Sequence, residues 1–132
     1  MIININEEED MIYKKRSEST EQITLIQWCN LNKCVWPELN LIFHIPNGGQ
    51  RNKTEARRLK EEGVKAGVPD LFLPVPKGNY HGLFIEMKYR NNKATAKQRE
   101  WIIELNKQGY YAVVCNGFEE AKATIESYIK LT

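Results

Sequence analysis

The feature that most constrains this chain is a pair of apolar runs of strand length separated by a short turn. The first run covers residues 70–76 and the second covers 82–88, and Lys77-Gly78-Asn79-Tyr80 between them is rich in turn-forming residues. Both runs carry large aliphatic and phenylalanine side chains, which suit a half-buried pleated surface. The pattern therefore predicts two antiparallel strands that pair as a hairpin.

Helical and extended segments surround this hairpin. Residues with helical spacing or helix-favouring composition cover 19–32, 52–62, 95–108 and 118–131. Two further segments, 39–45 and 110–115, are predicted to be extended. The resulting order is helix, strand, helix, hairpin, helix, strand, helix. Helices in this order have to cover a sheet, so we predict a three-layer α/β domain with a central mixed sheet of about four strands flanked by helices.

Length and composition indicate one globular domain. The chain has 132 residues, of which 42% are hydrophobic and 27% are charged. We expect residues 1–15 to be an irregular acidic segment and 16–132 to be the single domain. No apolar run approaches the roughly 20 residues that span a membrane, and the acidic start is unlike a signal peptide. We therefore expect no membrane association and a cytoplasmic location.

Charge and cysteine content narrow the function classes further. The formal net charge is +2, but setting aside the four acidic residues at 7–10 leaves +6, with basic residues dense in 51–65 and 88–99. Such clusters are either solvated helix faces or a nucleic-acid footprint. The cysteines are Cys29, Cys34 and Cys115, an odd number without C-x-x-C spacing. A disulfide framework or a structural zinc site is therefore not expected.

Two acids and a lysine lie at the ends of the predicted hairpin strands. Asp70 opens the first run, while Glu86 and Lys88 lie near the end of the second. Because residues two apart on a strand point to the same face, Glu86 and Lys88 project together and Met87 points the opposite way. The hairpin then brings Asp70 within reach of the pair, which makes these three residues the candidate catalytic core.

Converging carboxylates repel each other unless a hard cation lies between them. Magnesium, with manganese as a substitute, suits oxygen ligands from Asp70, Glu86 and the backbone carbonyl of Met87. A lysine beside such a cation is expected only where an anion also binds, and a phosphodiester supplies that anion. The predicted chemistry is therefore activation and orientation of a water by the metal and Lys88 together, and this water attacks phosphorus in line.

The same residues resemble a known superfamily. Pro69-Asp70, with Glu86-Met87-Lys88 sixteen positions later, is similar to the P-D…(D/E)-x-K pattern of restriction-endonuclease-like nucleases. Further motifs resemble its VRR-NUC branch, and the resemblance covers roughly 44–125. These motifs are His44-Ile-Pro-Asn-Gly-Gly, Gly63-Val-Lys-Ala-Gly-Val-Pro-Asp70-Leu, Ile85-Glu-Met-Lys88 and Ala96-Lys-Gln-Arg-Glu-Trp101. The resemblance implies a restriction-endonuclease-like fold and a metal-dependent DNA endonuclease.

The resemblance also implies further site residues and partners. A glutamate of the first helix joins the metal cluster in that branch, and Glu21 stands in the matching helix. The helix dipole alone also favours a glutamate at that position, in the first turn of a helix. Glu18 is an alternative candidate for the same role. Gln98 resembles the residue that positions the lysine and phosphate, with an ordinary helix-surface role as its alternative. Stand-alone members, many of them from phages, are associated with homodimers that resolve Holliday junctions, so the expected cell is bacterial or phage-infected.

A phosphodiester site beside the first basic cluster favours DNA contacts over a merely solvated face. His44 is a candidate as well, although a histidine at a strand end is more often structural. The glycine-rich loop that follows it suits close approach of a DNA backbone, but a plain turn explains it nearly as well. The predicted DNA-binding residues are His44, Asn47, Gly48, Gly49, Arg51, Lys53, Arg57 and Arg58.

Three alternatives to a junction endonuclease stay open at this point. A nickase or a flap-type nuclease would use the same site on a different DNA structure. A non-catalytic DNA-binding module would have no need of the set Asp70, Glu86 and Lys88. A subunit of a larger repair complex could use the acidic first residues as its contact.

Overall fold

Two described ranges, 17–46 and 52–132, make up the computed structural model of the protein. The predicted DNA contacts Asn47, Gly48, Gly49 and Arg51, and the predicted acidic segment 1–15, lie outside these residues. The described elements run α1 (Glu18–Asn32), a 3₁₀ turn (Pro37–Leu41), β1 (Phe43–His44), α2 (Lys53–Glu61), β2 (Leu71–Leu73), β3 (Leu83–Lys88), α3 (Ala96–Lys107), β4 (Tyr111–Asn116) and α4 (Gly117–Ile129).

The four strands form one mixed sheet in the order β1-β2-β3-β4. β1 pairs antiparallel with β2 and β2 pairs antiparallel with β3, with Leu71 opposite Ile85 in the second pair. β4 runs parallel to β3, because α3 carries the chain back across the sheet between them. The hairpin and the mixed α/β sheet predicted from the sequence are confirmed.

The prediction of an extended segment over 39–45 is wrong for residues 39–41. Pro37 begins a 3₁₀ turn that runs to Leu41, and only Phe43 and His44 form a strand. Proline presets the backbone for a first helical turn, and the side-chain nitrogen of Asn40 donates to the Pro37 carbonyl at 3.1 Å. Burial follows the turn, since Leu39 is 2% exposed and Leu41 is 52% exposed. A short apolar run with this spacing fits either conformation.

Strand alternation divides the sheet into a core face and a second face. Leu71 and Leu73 of β2 are fully buried in the core, as are Leu83, Ile85 and Met87 of β3. The core also takes its helical side chains from α1 and α4; they are Leu25, Cys29, Ala121, Ile125, Tyr128 and Ile129. This alternation leaves the side chains of the residues between them to the other side of each strand.

The second face begins with aromatic side chains and ends with charged ones. Phe72 and Phe84 stack with ring centroids 4.1 Å apart, and Tyr110 meets both rings edge-on. Two positions on from Phe84 along β3 stands Glu86, and two further stands Lys88. This aromatic packing therefore fixes the position of β3, the strand that carries Glu86 and Lys88.

Local signals explain where the helices begin. α1 and α3 each start with a capping box, made by Ser17 with Thr20 and by Thr95 with Gln98. Within the described ranges, no helix has the length and apolar character needed to cross a membrane. Cys29, Cys34 and Cys115 are all free thiols, in line with the expectation of no disulfide framework.

Candidate active site

Asp70 and Glu86 come together at the open end of the hairpin. The residue pair Leu71 and Ile85 is the last one joined between β2 and β3, so the next residues outward are Asp70 and Glu86. The backbone N–H of Met87 donates to Asp70 Oδ2 at 2.8 Å. Asp70 is half-buried and Glu86 is only 2% exposed. The structure thus brings these two predicted carboxylates into one site.

The surroundings of Glu86 disfavour the ionised form of its carboxyl group. Burial raises its pKa to about 8 from an ordinary 4.5, the adjacent Asp70 charge adds to that rise, and Lys88 opposes it. Glu86 Oε2 is fully buried and has no hydrogen-bond partner among residues 17–46 and 52–132. A buried oxygen left unsatisfied is costly in free energy. A hard cation at this position fits the oxygen donors that face it.

Met87 offers a third oxygen on the same side. On a strand, the N–H and C=O of one residue point to the same neighbouring strand. The Met87 N–H points to Asp70, so its carbonyl faces the Asp70 side as well, while the Met87 side chain is buried in the core. The predicted donor set of Asp70, Glu86 and the Met87 carbonyl is geometrically consistent.

Lys88 lies between two carboxylates and is nearly buried. Its exposed fraction is 7%, and its Nζ is 3.7 Å from Glu86 Oε1 and 3.8 Å from Glu18 Oε1. Both distances are those of ion pairs and not of hydrogen bonds. Glu18, which the sequence offered only as a rival of Glu21, is thus the carboxylate of α1 that faces the lysine.

Glu21 is buried beside the start of α4. It is 5% exposed, and its Oε1 accepts a hydrogen bond from the backbone N–H of Phe118 at 3.3 Å, at the start of α4. Gly117 allows this approach, because a Cβ there would lie 3.3 Å from the same oxygen. No group of three or more His, Cys, Asp or Glu side chains is arranged to hold a metal within 17–46 and 52–132. The predicted metal role of Glu21 stays a prediction.

Gln98 serves first as a helix cap. Its Oε1 accepts from the Thr95 N–H at 2.9 Å, and its own N–H donates to Thr95 Oγ1 at 3.2 Å. It makes no hydrogen bond to Lys88 in the described part of the chain. The signal for this role was present in the sequence as the T-x-x-Q spacing of a capping box.

His44 is bound to the backbone of Asp70. Its Nδ1 lies 2.9 Å from the Asp70 carbonyl oxygen, which also accepts from the Ile45 N–H at 2.7 Å. The Gln22 side-chain nitrogen lies 3.1 Å from the same ring nitrogen. Nδ1 donates to the carbonyl when it carries the ring proton, and it accepts from the Gln22 amide when the proton is on Nε2. His44 links α1 and β1 to Asp70, and its predicted DNA contact stays a prediction.

The segment before Asp70 packs closely against α3. Gly67 has φ +93°, and a Cβ there would lie 3.0 Å from both the Lys97 Cβ and Trp101 Cδ1. The indole N–H of Trp101 donates to the Ala66 carbonyl at 3.1 Å. Upstream, the predicted DNA contacts Lys53, Arg57 and Arg58 are exposed on α2.

The raised pKa of Glu86 predicts how the stability of the metal-free protein depends on pH. Between about pH 4.5 and 8 the folded protein holds a proton on Glu86 that the unfolded chain has released, so its free energy of unfolding falls as the pH rises through this window. The variant Glu86→Gln should lack this loss. Thermal unfolding with chelator at about pH 5 and about pH 9 should therefore show a stabilisation of the variant relative to wild type that is larger at the higher pH. An equal difference at both pH values would contradict the assignment.

Comparison with known proteins agrees with this architecture. A mixed sheet flanked by helices, with two acids and a lysine at the end of its hairpin, has the form of a restriction-endonuclease-like nuclease. The family model of the VRR-NUC domain matches residues 16–119. A solved structure of a VRR_NUC domain protein is 38% identical in sequence, with a TM-score of 0.77 over 89% of this chain and 91% of that one. No curated protein matches the chain.

The chain belongs to the VRR-NUC domain family. The predicted family and fold class are thereby confirmed. The function of the protein is of the nuclease type. Nuclease function implies that the domain binds nucleic acid, which agrees with the basic residues exposed on α2.

Proposed function

We propose that this protein is a magnesium-dependent endonuclease that hydrolyses phosphodiester bonds in DNA. The observation that carries the proposal is the shared position of Asp70 and Glu86, whose buried Oε2 lacks a hydrogen-bond partner in the described residues, with Lys88 Nζ 3.7 Å from Glu86 Oε1. An ordinary structural ion pair would explain Lys88 and Glu86 but not the second acid.

The proposed ligands of the cation are Asp70, Glu86 and the carbonyl of Met87. When bound, Mg²⁺ would supply Lewis-acid stabilisation of the phosphate oxygens and activation of a water, and Mn²⁺ would substitute for it. Lys88 places a positive charge where negative charge develops on the phosphate during attack. His44 holds the backbone of Asp70, and the side-chain nitrogen of Gln98 is left by the capping box to meet a phosphate.

Glu21 takes a supporting role in this proposal. Its Oε1 accepts from the Phe118 N–H, one of the backbone donors at the start of α4. We assign it to the anchoring of α4 beside the site. The acidic side chain there is also favoured by the positive end of the helix dipole.

The proposed DNA surface is the exposed basic part of α2. Lys53, Arg57 and Arg58 are exposed on α2, whose chain leads through Gly67 directly to Asp70. Lysine and arginine side chains at such a surface release counterions from the DNA backbone on binding. Affinity should therefore fall steeply with salt. Among the remaining proposed DNA contacts are His44 and the residues Asn47, Gly48, Gly49 and Arg51.

The preferred substrate that we propose is a Holliday junction, cut by a homodimer in the cytoplasm of a bacterial or phage-infected cell. The support is the family membership. A dimer with twofold symmetry presents two sites to the two symmetric strands of a four-way junction. A monomer presents one site for each binding event.

A substrate panel tests this proposal. Labelled duplex, flap, splayed-arm and four-way DNA would be incubated with the protein and Mg²⁺, Mn²⁺ or chelator, and the oligomeric state would be measured by sedimentation at the assay concentration. We expect paired symmetric cuts in the four-way substrate, only with metal, from a dimer. Preferential cutting of flaps or single nicks in duplex would replace the junction assignment. Binding of all substrates without cleavage would instead indicate a DNA-binding module.

A further inference from the structure

We propose that a cleft beside Lys88 binds one unpaired base of the DNA, next to the phosphate that is cleaved. The inference rests on the proposed nuclease function and adds a requirement for its substrate. The cleft has a volume of about 520 Å³ and lies between the start of α1 and the turn that follows β3. Its lining includes Glu18 and Ser19 on the α1 side and, on the side of the turn, Tyr89, Arg90, Asn91 and Asn92.

The cleft adjoins Lys88 on both of its sides. Tyr89 follows Lys88 directly in the chain, and Glu18 Oε1 lies 3.8 Å from Lys88 Nζ. A phosphate held at Lys88 would therefore place its neighbouring nucleotide at the mouth of the cleft. The volume falls within the roughly 300–1,000 Å³ of ordinary small-ligand sites, so the cleft has room for a single nucleobase.

Arg90 and Tyr89 give the cleft a surface on which a base can stack. The Arg90 guanidinium carbon lies 5.3 Å from the centroid of the Tyr89 ring, and Arg90 is exposed whereas Tyr89 is half-buried. The start of α4 lies behind the ring, since a Cβ on Gly117 would be 3.9 Å from Tyr89 Cδ2. Guanidinium groups and aromatic rings are the platforms on which proteins stack unpaired bases. This pair therefore suits the flat face of a base.

The other lining side chains suit the hydrogen-bonding edge of a base. Asn91 and Asn92 carry amide groups and Ser19 carries a hydroxyl group, so the cleft offers both donors and acceptors. The side-chain nitrogen of Asn92 donates to Glu18 Oε1 at 2.9 Å, which fixes this amide against α1. Amide and hydroxyl groups are among the side chains that bind base edges in nucleic-acid complexes. The cleft thus combines a stacking surface with polar groups around it.

The turn that carries Arg90 is held in one conformation. The Asn92 N–H donates to the Tyr89 carbonyl at 3.3 Å, and the Asn116 side chain donates to the Arg90 carbonyl at 2.8 Å. Arg90 itself has φ 57°, a left-handed conformation that is uncommon outside glycine. These contacts tie the turn to the end of β4. A stacking surface that is already ordered lowers the cost of binding a base.

The cleft restricts the DNA structures that fit the site. A base inside a duplex is paired and stacked, so it reaches such a cleft only after it has been expelled from the helix, at a cost in free energy. The nucleotide beside the cleaved phosphate is therefore unpaired in the favoured substrates, as in a splayed arm, a flap or an opened crossover of a four-way junction. A surface that contacted only phosphates would show no such preference.

An abasic scan tests the proposal. Splayed-arm DNA would carry a single abasic nucleotide at each unpaired position in turn, and affinity would be measured with chelator, which prevents metal-dependent cleavage. We expect one abasic position, next to the bond that is cut with Mg²⁺, to weaken wild-type binding about tenfold, as for the loss of one base stack. Abasic nucleotides at the other positions of the arm should have little effect.

The variant Arg90→Lys separates stacking from charge, because lysine keeps the positive charge but lacks the planar group. It should bind intact splayed-arm DNA about tenfold more weakly, and the abasic nucleotide should then cause little further loss. Its affinity for duplex and its salt dependence should match wild type. Arg99→Lys is the matched control, since Arg99 is also an exposed arginine, on α3, and its change should leave both affinities unaltered.

A second variant, Ser19→Tyr, fills the cleft from the α1 side and leaves Arg90 in place. It should reproduce the selective loss of splayed-arm affinity, with thermal unfolding as the check on the fold. Equal weakening of splayed-arm and duplex binding by both variants, or a wild-type affinity that no abasic position changes, would overturn the base-binding cleft. Base-dependent binding without cleavage of any DNA in Mg²⁺ would overturn the nuclease proposal and leave the cleft standing.

Discussion

Replacing Lys88 by methionine is expected to lower kcat for DNA cleavage by about 10²- to 10³-fold while leaving DNA affinity close to that of wild type. The lysine is 7% exposed and lies at the proposed reacting phosphate, whereas the basic side chains of α2 are exposed. Its charge would therefore stabilise the transition state more than the bound substrate. Methionine fills most of the buried volume, so the loss reports the charge and not a cavity.

The matched control is Lys107→Met. Lys107 is also a lysine paired with a glutamate, at 3.1 Å from Glu104, but its side chain is 64% exposed and belongs to the surface of α3. Exposed pairs of this kind contribute little to stability. Single-turnover cleavage and a DNA-binding titration on both variants separate chemistry from binding. A Lys88→Met protein that cleaves at the wild-type rate would show that the proposed role of the lysine is wrong.

Replacing either acid of the hairpin is expected to remove cation binding and, with it, cleavage. Asp70→Asn and Glu86→Gln each neutralise one of two facing carboxylates and retain nearly the same shape. The loss of metal affinity should exceed the roughly 10- to 100-fold that is typical when a residue behind a metal ligand is lost. Mn²⁺ binding followed by electron paramagnetic resonance measures this directly, with no need for turnover.

A measurement of the unfolding temperature should distinguish Glu86→Gln from a destabilised protein. Glu86→Gln removes the cost of taking up a proton on Glu86 when the chain folds near neutral pH, so without metal it should unfold at a temperature at or above that of wild type. Glu104→Gln, at an exposed site on α3, is the control for neutralising an acid. Unchanged Mn²⁺ affinity in both hairpin variants would contradict the proposed ligand set.

Sequence patterns were enough to predict the part of the site that lies on the two hairpin strands. The alternation of side chains along a β-strand projects Glu86 and Lys88 together, and a short turn dictates that Asp70 returns beside them. Both inferences need only local geometry and the pairing of adjacent strands. The structure accordingly places Asp70, Glu86 and Lys88 in one site.

The helical side of the site depends on tertiary packing, which single-sequence reasoning does not reach. Glu18 and Glu21 lie three residues apart on α1 and so point from neighbouring positions on the helix surface. Which of them meets Lys88 is decided by how α1 enters the sheet and by the close approach that Gly117 allows to Glu21. Asn92 carried no sequence signal, because its contact with Glu18 joins residues 74 positions apart.

The most direct test of the metal-dependent nuclease site is cleavage of labelled DNA by the purified wild-type protein with Mg²⁺ and with chelator, beside Glu86→Gln under the same conditions. We expect cleavage by wild type that begins on addition of Mg²⁺ and stops with chelator. We expect no cleavage by the variant. Equal cleavage by wild type with and without chelator, or by Glu86→Gln with Mg²⁺, would contradict a metal-dependent site at Asp70 and Glu86.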